Sequence, residues 1–334
     1  MTPPRSVPDL EFVSPVAPAL RRFLEFKRAA GYRYRGEAGA LRQLDQFLCV
    51  HLRAEDPVIS LDVIRAYVAR RGQESETTRA HRVSLIRQFC RFLALEQPRT
   101  AVPGPRFLGI CRRAFVPRVL TREEGRRFIQ ACATLPPGRR SPLRATVLGT
   151  ALVLLYLTGL RAGEGCRLTD DDVDLEAAVL RVRDTKFGKS RLVPVASDVV
   201  VRLRQCRAAV LRRYGPRAPD APFFPAPSGR CYSKSALAAA FHRARAMAGI
   251  PRWSGGRGLR AHDLRHSFVA VRLLRWYEQG ADLAARLPEL ASYLGHVGLT
   301  SSQRYLQLSH DLIGEITRRQ EAHFGHLITE QRPS

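Results

Sequence analysis

Acidic side chains are scarce in this chain of 334 residues. It has 30 Asp and Glu against 55 Lys and Arg, which gives a formal net charge of +25. The excess is spread along the chain, because residues 1–100 carry 17 basic and 11 acidic side chains and residues 101–334 carry 38 and 19. This distribution excludes a basic tail on a neutral body. It indicates a polyanionic partner, of which nucleic acid is the commonest.

Lysine is almost absent, since only Lys27, Lys186, Lys189 and Lys234 accompany 51 arginines. The bias is typical of a GC-rich genome, but it makes each retained lysine informative. Arginine cannot give up its proton, whereas a lysine whose pKa is lowered by neighbouring cations can act as a general acid. Lys186 and Lys189 are therefore candidates for proton transfer, with two solvated loop lysines as the alternative.

Cysteine pairs, long apolar runs and ligand motifs are also missing. The seven cysteines are scattered and never form C-x-x-C, which indicates a reducing compartment without disulfides or a zinc knuckle. The longest uncharged stretch, residues 145–160, is too short to span a bilayer and predicts a buried helix. No apolar leader segment, metal-ligand spacing or Gly-rich phosphate loop is found, so we expect a cytoplasmic protein without a metal or other cofactor.

The apolar periodicity predicts a mainly helical chain with one small antiparallel β region. Thr121 and Glu124 form a capping box that opens a helix through about Cys132, and alternation in residues 173–195 predicts strands around the turn DTKFGKS. The predicted organisation is a disordered arm at 1–16, a helical bundle at 17–98, a linker at 99–119, a second domain at 120–327 and a tail at 328–334.

Two segments supply arginines that could hold a phosphate. In TGLRAGE, Arg161 follows the end of the apolar helix, where its planar fork could bind a phosphate and Glu164 could orient it. In HDLRHS, His262 and Arg265 stand three residues apart. Taken singly, these segments also fit a helix C-cap with an ordinary arginine and a polar helix start.

Two further features concern nucleophilic chemistry. The segment Leu294-Gly295-His296 is followed nine residues later by Tyr305. A tyrosine hydroxyl has a pKa of about 10, so it needs a base or a strongly positive field to attack at neutral pH. A capping histidine and a tyrosine packed in a core are the structural alternative.

Together and in this order, TGLRAGE, the lysine hairpin ending in RLVPV, HDLRHS and LGH with its tyrosine resemble the signature segments of the tyrosine recombinase family. That family includes phage integrases, Xer recombinases and Cre-like enzymes. The resemblance extends over about residues 17–325 and is strongest at 155–195 and 258–310. It implies a helical, SAM-like core-binding domain at 17–98 and a recombinase catalytic domain at 120–327.

The resemblance implies a site-specific DNA recombinase that cuts and rejoins strands through a 3′-phosphotyrosine, without metal or ATP. Tyr305 would be the nucleophile, and Arg161 and Arg265 would clamp the scissile phosphate. Lys186, with Lys189 as the weaker candidate, would protonate the leaving 5′ oxygen. The whole implied set is Arg161, Lys186, His262, Arg265, His296 and Tyr305, with His262 assisting proton transfer, His296 binding the phosphate and Glu164 in support.

The expected partner is double-stranded DNA with specific recombination sites, bound by a homo-tetramer on paired sites or together with a related recombinase. Chromosome or plasmid resolution and mobile-element integration or excision are both compatible with the sequence. A type IB topoisomerase-like activity and a DNA-binding protein without turnover are the competing hypotheses. The expected DNA contacts are Arg79, Arg82 and Arg87 on an exposed helix face, with a solvated face as the alternative, and Lys189 and Arg191 in the hairpin.

Two features depart from the family pattern or compete with it. Gly163 and Gly165 stand where the family usually has Ser and a bulkier residue. Tyr293 is a second tyrosine near the LGH segment, but it precedes that segment, where the family has core residues. We therefore expect Tyr293 to be a poorer nucleophile candidate than Tyr305.

Overall fold

The structure, a computed structural model, describes residues 11–32, 34–105, 107, 118–138, 141–183, 190–251 and 258–295, without the side chain of Arg35. The chain divides into two compact units, Met1–Phe115 and Val116–Ser334. Among the described residues, no helix is long and apolar enough to cross a membrane. Each unit has its own apolar core.

The described residues of the first unit form a bundle of four α-helices. Ser60 and Ser75 cap two of them, because each hydroxyl accepts a hydrogen bond from the backbone nitrogen of the third residue of its helix, Val63 and Thr78. The core is filled by large side chains that are less than 2% exposed, among them Phe23, Tyr67 and Phe89. The helices are α1 (Ala17–Ala29), α2 (Arg35–His51), α3 (Leu61–Val68) and α4 (Glu76–Leu93).

The segment before α1 packs onto this bundle. Phe12 and Val16 are each 2% exposed, and the carboxylate of Asp45 accepts hydrogen bonds from the backbone nitrogens of Val13 (2.8 Å) and Ser14 (3.0 Å). The expectation of a disordered arm through residue 16 is therefore wrong for residues 11–16. A buried carboxylate that satisfies two backbone donors fixes the approach to α1.

The start of the predicted linker also packs onto the first unit. The backbone nitrogen of Ala101 donates to the carbonyl of Ile59 at 2.9 Å, and the side chain of Phe107 contacts the core. Arg87 on α4 donates to the carbonyl of Pro103 at 2.8 Å. Residues 108–117, the middle of that linker, lie outside the described residues.

Helices also dominate the second unit, and the predicted capping box is confirmed at its first helix. Thr121 Oγ1 accepts from the backbone of Glu124 at 3.1 Å, and the Glu124 carboxylate accepts from the backbone of Thr121 at 3.0 Å. In the part of this unit that the structure describes, the α-helices are α5 (Arg122–Ala133), α6 (Thr150–Thr158), α7 (Ala162–Gly165), α8 (Ser197–Tyr214), α9 (Lys234–Met247), α10 (Asp263–Glu278) and α11 (Leu283–Leu294).

The uncharged stretch 145–160 forms the centre of this unit, as predicted. It begins with a π-helical turn, Ala145–Gly149, and continues directly as α6. The α6 helix packs against α5, α8 and α10, which explains why it is apolar on all sides. It ends at Gly159, whose φ of 65° is left-handed.

A three-stranded antiparallel sheet confirms the predicted β region and, with it, the fold class. Its strands are β1 (Val173–Asp174), β2 (Val179–Val182) and β3 (Arg191–Pro194), paired in that order. Leu180 faces Val173 on one side and Val193 on the other, and all three side chains are buried. The hairpin turn 184–189 lies outside the described residues.

Candidate active site

Arg161 stands between two helices of the second unit. The chain leaves α6 through Gly159, and Arg161 adopts an extended conformation immediately before α7. Its side chain is one-third exposed, and Nη1 donates to Glu164 Oε1 at 2.7 Å. The TGLRAGE segment thus contains a partly desolvated arginine, Arg161, whose guanidinium is fixed by the buried carboxylate of Glu164.

Glu164 is the buried centre of an ionic network. Its side chain is 3% exposed, and Oε2 accepts from the backbone nitrogen of Arg161 at 3.0 Å and from Arg191 Nη2 at 2.9 Å. Burial alone would raise the pKa of Glu164, but hydrogen bonds from Arg191 and from the backbone and side chain of Arg161 outweigh it and lower the pKa to about 2. The carboxylate is therefore ionised throughout the physiological range.

Arg265 ties three motifs together. It lies in the first turn of α10 and is 2% exposed. Its Nη1 donates to the carbonyl of Gly159 at 2.8 Å, and its Nη2 donates to the carbonyl of Leu294 at 2.9 Å. Both acceptors are at helix C-termini, where carbonyls lack intrahelical donors. One guanidinium thus joins the ends of α6 and α11 to the start of α10.

The glycines of TGL and LGH are required by this arrangement. Gly159 and Gly295 end α6 and α11 with φ values of 65° and 68°. A Cβ at Gly159 would lie 2.6 Å from the Phe268 ring, and one at Gly295 would lie 2.8 Å from Arg191 Nη1. Both the left-handed conformation and the close neighbours disfavour a side chain at these two positions.

His262 is exposed at the start of α10. Its ring meets that of His266 edge to face, with centroids 5.0 Å apart. On the buried side of the same turn, Ser267 Oγ accepts from the backbone of Leu120 at 3.0 Å and donates to the carbonyl of Asp263 at 2.9 Å. The HDLRHS segment therefore splits into an exposed histidine and buried groups that anchor the helix.

Arg191 lies inside the fold, which differs from its expected place among DNA contacts. Its side chain is 11% exposed, Nε donates to the carbonyl of Tyr293 at 2.8 Å, and the other two nitrogens face Glu164. Strand alternation was the signal for this position, because Arg191 shares a face of β3 with the buried Val193, whereas Leu192 is exposed.

The arginines of α4 are also engaged by the protein. Arg82 is 7% exposed, pairs with Glu74 and donates to the carbonyls of Tyr67 and Ala69, so it does not lie on an exposed face. Arg79 Nε donates to the carbonyl of Val68 at 2.9 Å. These two arginines satisfy the C-terminal carbonyls of the short helix α3. Arg87, bonded to Pro103, is partly exposed.

Tyr293 is packed as a core residue. Its ring stacks on Phe268 with centroids 5.6 Å apart and planes 19° apart, and burial raises the pKa of its phenol. A raised pKa disfavours the phenolate that nucleophilic attack requires. The predicted catalytic residues Lys186, His296 and Tyr305, and the predicted DNA contact Lys189, lie outside the described residues.

A model of the phage integrase family matches residues 118–311, more than half of the chain. The chain belongs to this family of tyrosine recombinases. The matched range contains Arg161, Lys186, His262, Arg265, His296 and Tyr305.

Sequence relatives support the assignment over most of the chain. The y4rE protein of Sinorhizobium fredii is 34% identical over 90% of this chain and 94% of its own length. Its name describes it as an integrase/recombinase. The tyrosine recombinase XerC of Rhodospirillum centenum is 32% identical over 85% of this chain and 80% of its own length.

Solved structures of recombinases share the fold. The XerH site-specific recombinase bound to its difH substrate has a TM-score of 0.58 and 17% identity, covering 88% of this chain and 81% of its own. The Tn1549 transposon integrase in complex with transposon right end DNA has a TM-score of 0.58 and 18% identity, covering 86% and 94%.

Proposed function

We propose that this recombinase cuts and rejoins double-stranded DNA at specific sites through a covalent 3′-phosphotyrosine formed by Tyr305. The observation that carries the proposal is the network around Arg265 and Glu164. It brings the TGLRAGE, HDLRHS and LGH segments together around Arg161 and Arg265. Such a cationic cage is what a phosphoryl-transfer site needs, because charge develops on the equatorial oxygens during in-line attack.

Each group has a place in the balanced reaction. The phenol of Tyr305 gives its proton to His262 and its oxygen bonds to phosphorus, the bond from phosphorus to the 5′ oxygen breaks, and Lys186 gives that oxygen a proton. Lys189 is the weaker candidate for this acid. A 5′ hydroxyl of another strand then attacks the phosphotyrosine and releases Tyr305, so the ester conserves the bond energy and no ATP is consumed.

The remaining side chains bind the scissile phosphate, assist proton transfer or orient a neighbouring arginine. Arg161 and Arg265 bind the non-bridging oxygens of the scissile phosphate, and His296 donates a further hydrogen bond to it. His262, exposed at the start of α10, assists proton transfer around the attacking phenol. Glu164 holds Arg161 from the buried side, which reduces the reorganisation needed when the phosphate arrives.

DNA binding follows from charge as well as from the site. The net charge of +25 favours a polyanion, and both units carry part of the excess. Arg79 and Arg87 are partly exposed candidates for phosphate contacts in the first unit, while Arg82 serves that unit as a buried ion pair. The active form is a homo-tetramer on paired sites or a complex with a related recombinase. The lambda integrase tetramer bound to a Holliday junction, a structure of the same fold, supports this assembly.

Trapping the covalent intermediate tests the proposed nucleophile. A binding site is selected from random duplex DNA with the Tyr305→Phe protein, and a nick beside the scissile phosphate lets the cleaved fragment diffuse away. We expect the natural protein to form an adduct with DNA that survives denaturing electrophoresis. Tyr305→Phe should form none, because it lacks the attacking oxygen.

Tyr293→Phe is the matched control and should form the adduct at close to the natural rate, since its ring packs on Phe268. An adduct formed by the Tyr305→Phe protein would refute the assignment. Relaxation of any plasmid without site preference would favour the topoisomerase-like activity instead.

A further inference from the structure

The guanidinium of Arg191 connects two segments of the active site. All three of its nitrogens are used: Nη2 and Nη1 face the two oxygens of Glu164 at 2.9 and 3.4 Å, and Nε bonds the carbonyl of Tyr293 at 2.8 Å. Glu164 in turn bonds the side chain and the backbone of Arg161. In the sequence, Tyr293 stands three residues before His296.

The charge of the network depends on Arg191. Arg161 and Glu164 alone form a neutral pair, whose carboxylate would oppose the developing charge on the phosphate. With Arg191 the three side chains carry one net positive charge, and the carboxylate is shared between two guanidinium groups. Since Glu164 is 3% exposed and Arg191 is 11% exposed, solvent screens these interactions weakly.

We propose that Arg191 is a positioning residue for strand cleavage: it shares the Glu164 carboxylate so that Arg161 keeps its charge for the phosphate, and it holds the end of α11 that leads to His296. The inference rests on the role proposed for Arg161. It replaces a direct DNA contact by Arg191, because Nε, Nη1 and Nη2 of its guanidinium all face acceptors within the protein. Lysine at this position could reach Glu164 or the Tyr293 carbonyl but could not make the three bonds together.

The test compares Arg191→Gln and Arg191→Lys with Arg204→Gln. Arg204 is the control because its ion pair with Glu176 is half exposed at 2.8 Å and lies outside the site. Single-turnover cleavage is measured on the nicked DNA with either a phosphate or an uncharged methylphosphonate at the scissile position. DNA affinity and its salt dependence are measured on the same proteins.

We expect Arg191→Gln to slow cleavage of the phosphate by about 100-fold, as small displacements of catalytic groups do. The loss should shrink to below about tenfold on the methylphosphonate, because that substrate has less charge for the cage to balance. The cleavage rate of Arg191→Lys should lie between those of the natural protein and Arg191→Gln, and Arg204→Gln should cleave at the natural rate. The cleavage rates on the two substrates are compared within one protein preparation. Any unfolded fraction lowers both rates equally and therefore does not change their ratio.

Three results would overturn the inference. These are unchanged cleavage by Arg191→Gln, an equal loss on both substrates, and weaker binding with a salt slope reduced by about one, which would identify a phosphate contact. Arg161→Gln is measured in parallel. If Arg161→Gln loses cleavage and Arg191→Gln does not, the positioning role alone fails; if Arg161→Gln cleaves normally, the proposed role of Arg161 fails as well.

Discussion

At the scale of single residues, the buried charges of Glu164 and Arg82 each have several hydrogen-bonding partners. The carboxylate of Glu164 has two arginines and a backbone nitrogen as partners. In the first unit, Arg82 is likewise paired with Glu74 and with carbonyls of α3. Such groups are costly to bury alone, so losing one partner costs more than the pair contributes.

The pKa of Glu164 makes a prediction about acid stability. Its folded value of about 2 lies below the ordinary 4.5, so the ionised carboxylate stabilises the fold fully above about pH 4.5, and this contribution is lost as the pH falls towards 2. Glu164→Gln should therefore be less stable than the natural protein near pH 7, by on the order of 3 kcal/mol. The difference should narrow between pH 4.5 and 2 in urea unfolding at fixed ionic strength.

Glu176→Gln controls for removing a carboxylate from the same unit. Its side chain is 89% exposed and pairs with Arg204, so the substitution should leave stability nearly unchanged near pH 7. A stability gap for Glu164→Gln that stays constant from pH 7 down to pH 2 would contradict the assignment of a depressed pKa.

The place of a residue in the site could be predicted from the sequence where the residue belonged to a longer motif. TGLRAGE and HDLRHS carried a family resemblance that predicted Arg161, Glu164 and Arg265 as one group. In the structure, Arg161 bonds Glu164, and Arg265 bonds the carbonyl of Gly159 in the same TGLRAGE segment. Arg82 and Arg191 were expected at DNA instead, because an arginine looks the same in sequence whether its fork meets a phosphate or a buried carboxylate. For Arg82 only the partner, Glu74 eight residues away, reveals the difference. For Arg191 the partner lies 27 residues away, and the one local signal is strand alternation, which puts Arg191 on the same face as the buried Val193.

At the scale of elements, the site is assembled at helix ends. The C-termini of α6 and α11 supply carbonyls to Arg265 and Arg191, α7 begins directly after Arg161, and Arg265 lies in the first turn of α10. Two left-handed glycines turn the chain at those C-termini. The capping box of α5 and the apolar α6 were predictable from local pattern, whereas the π-helical turn before α6 depends on packing that no local pattern encodes.

Substitutions at Gly295 and Gly280 separate two contributions to the free energy of unfolding. One is the close contact between residue 295 and Arg191, and the other is the left-handed backbone that both glycines adopt. Gly295→Ala must adopt a left-handed φ and also displace Arg191, whereas Gly280, with a φ of 65°, has no neighbour within 4 Å of an added Cβ. Gly280→Ala should lose about 1–2 kcal/mol of stability from the backbone alone. Gly295→Ala should lose more and should also slow DNA cleavage, as measured by urea unfolding and single-turnover assays.

Equal losses of stability in the two glycine variants, with cleavage retained in Gly295→Ala, would show that Arg191 moves aside without consequence. That result would weaken the link between the end of α11 and the arginine network. A selective loss of cleavage would place the LGH glycine among the residues that shape the site.

At the scale of the whole molecule, the chain has two units with separate apolar cores, and each unit carries part of the net positive charge. The order of the domains is a prediction from the helical periodicity, the composition of the linker and the capping box at Thr121. The limits of the linker could not be predicted in this way, because residues in the range 99–105 have no regular pattern and yet bond to α4 and to Ile59. Prolines and glycines marked the segment as irregular without showing that its first part is packed.

The distribution of charge predicts how binding responds to salt. If both units contact the duplex, several phosphates lose their counterions, and the logarithm of the binding constant should fall with the logarithm of salt concentration at a slope of about −5 or steeper. Fluorescence anisotropy with the Tyr305→Phe protein measures this without cleaving the DNA. The natural protein on an uncut duplex should give the same slope, because the phenol it retains is neutral. A slope shallower than about −2 would mean that most of the +25 charge lies away from the DNA.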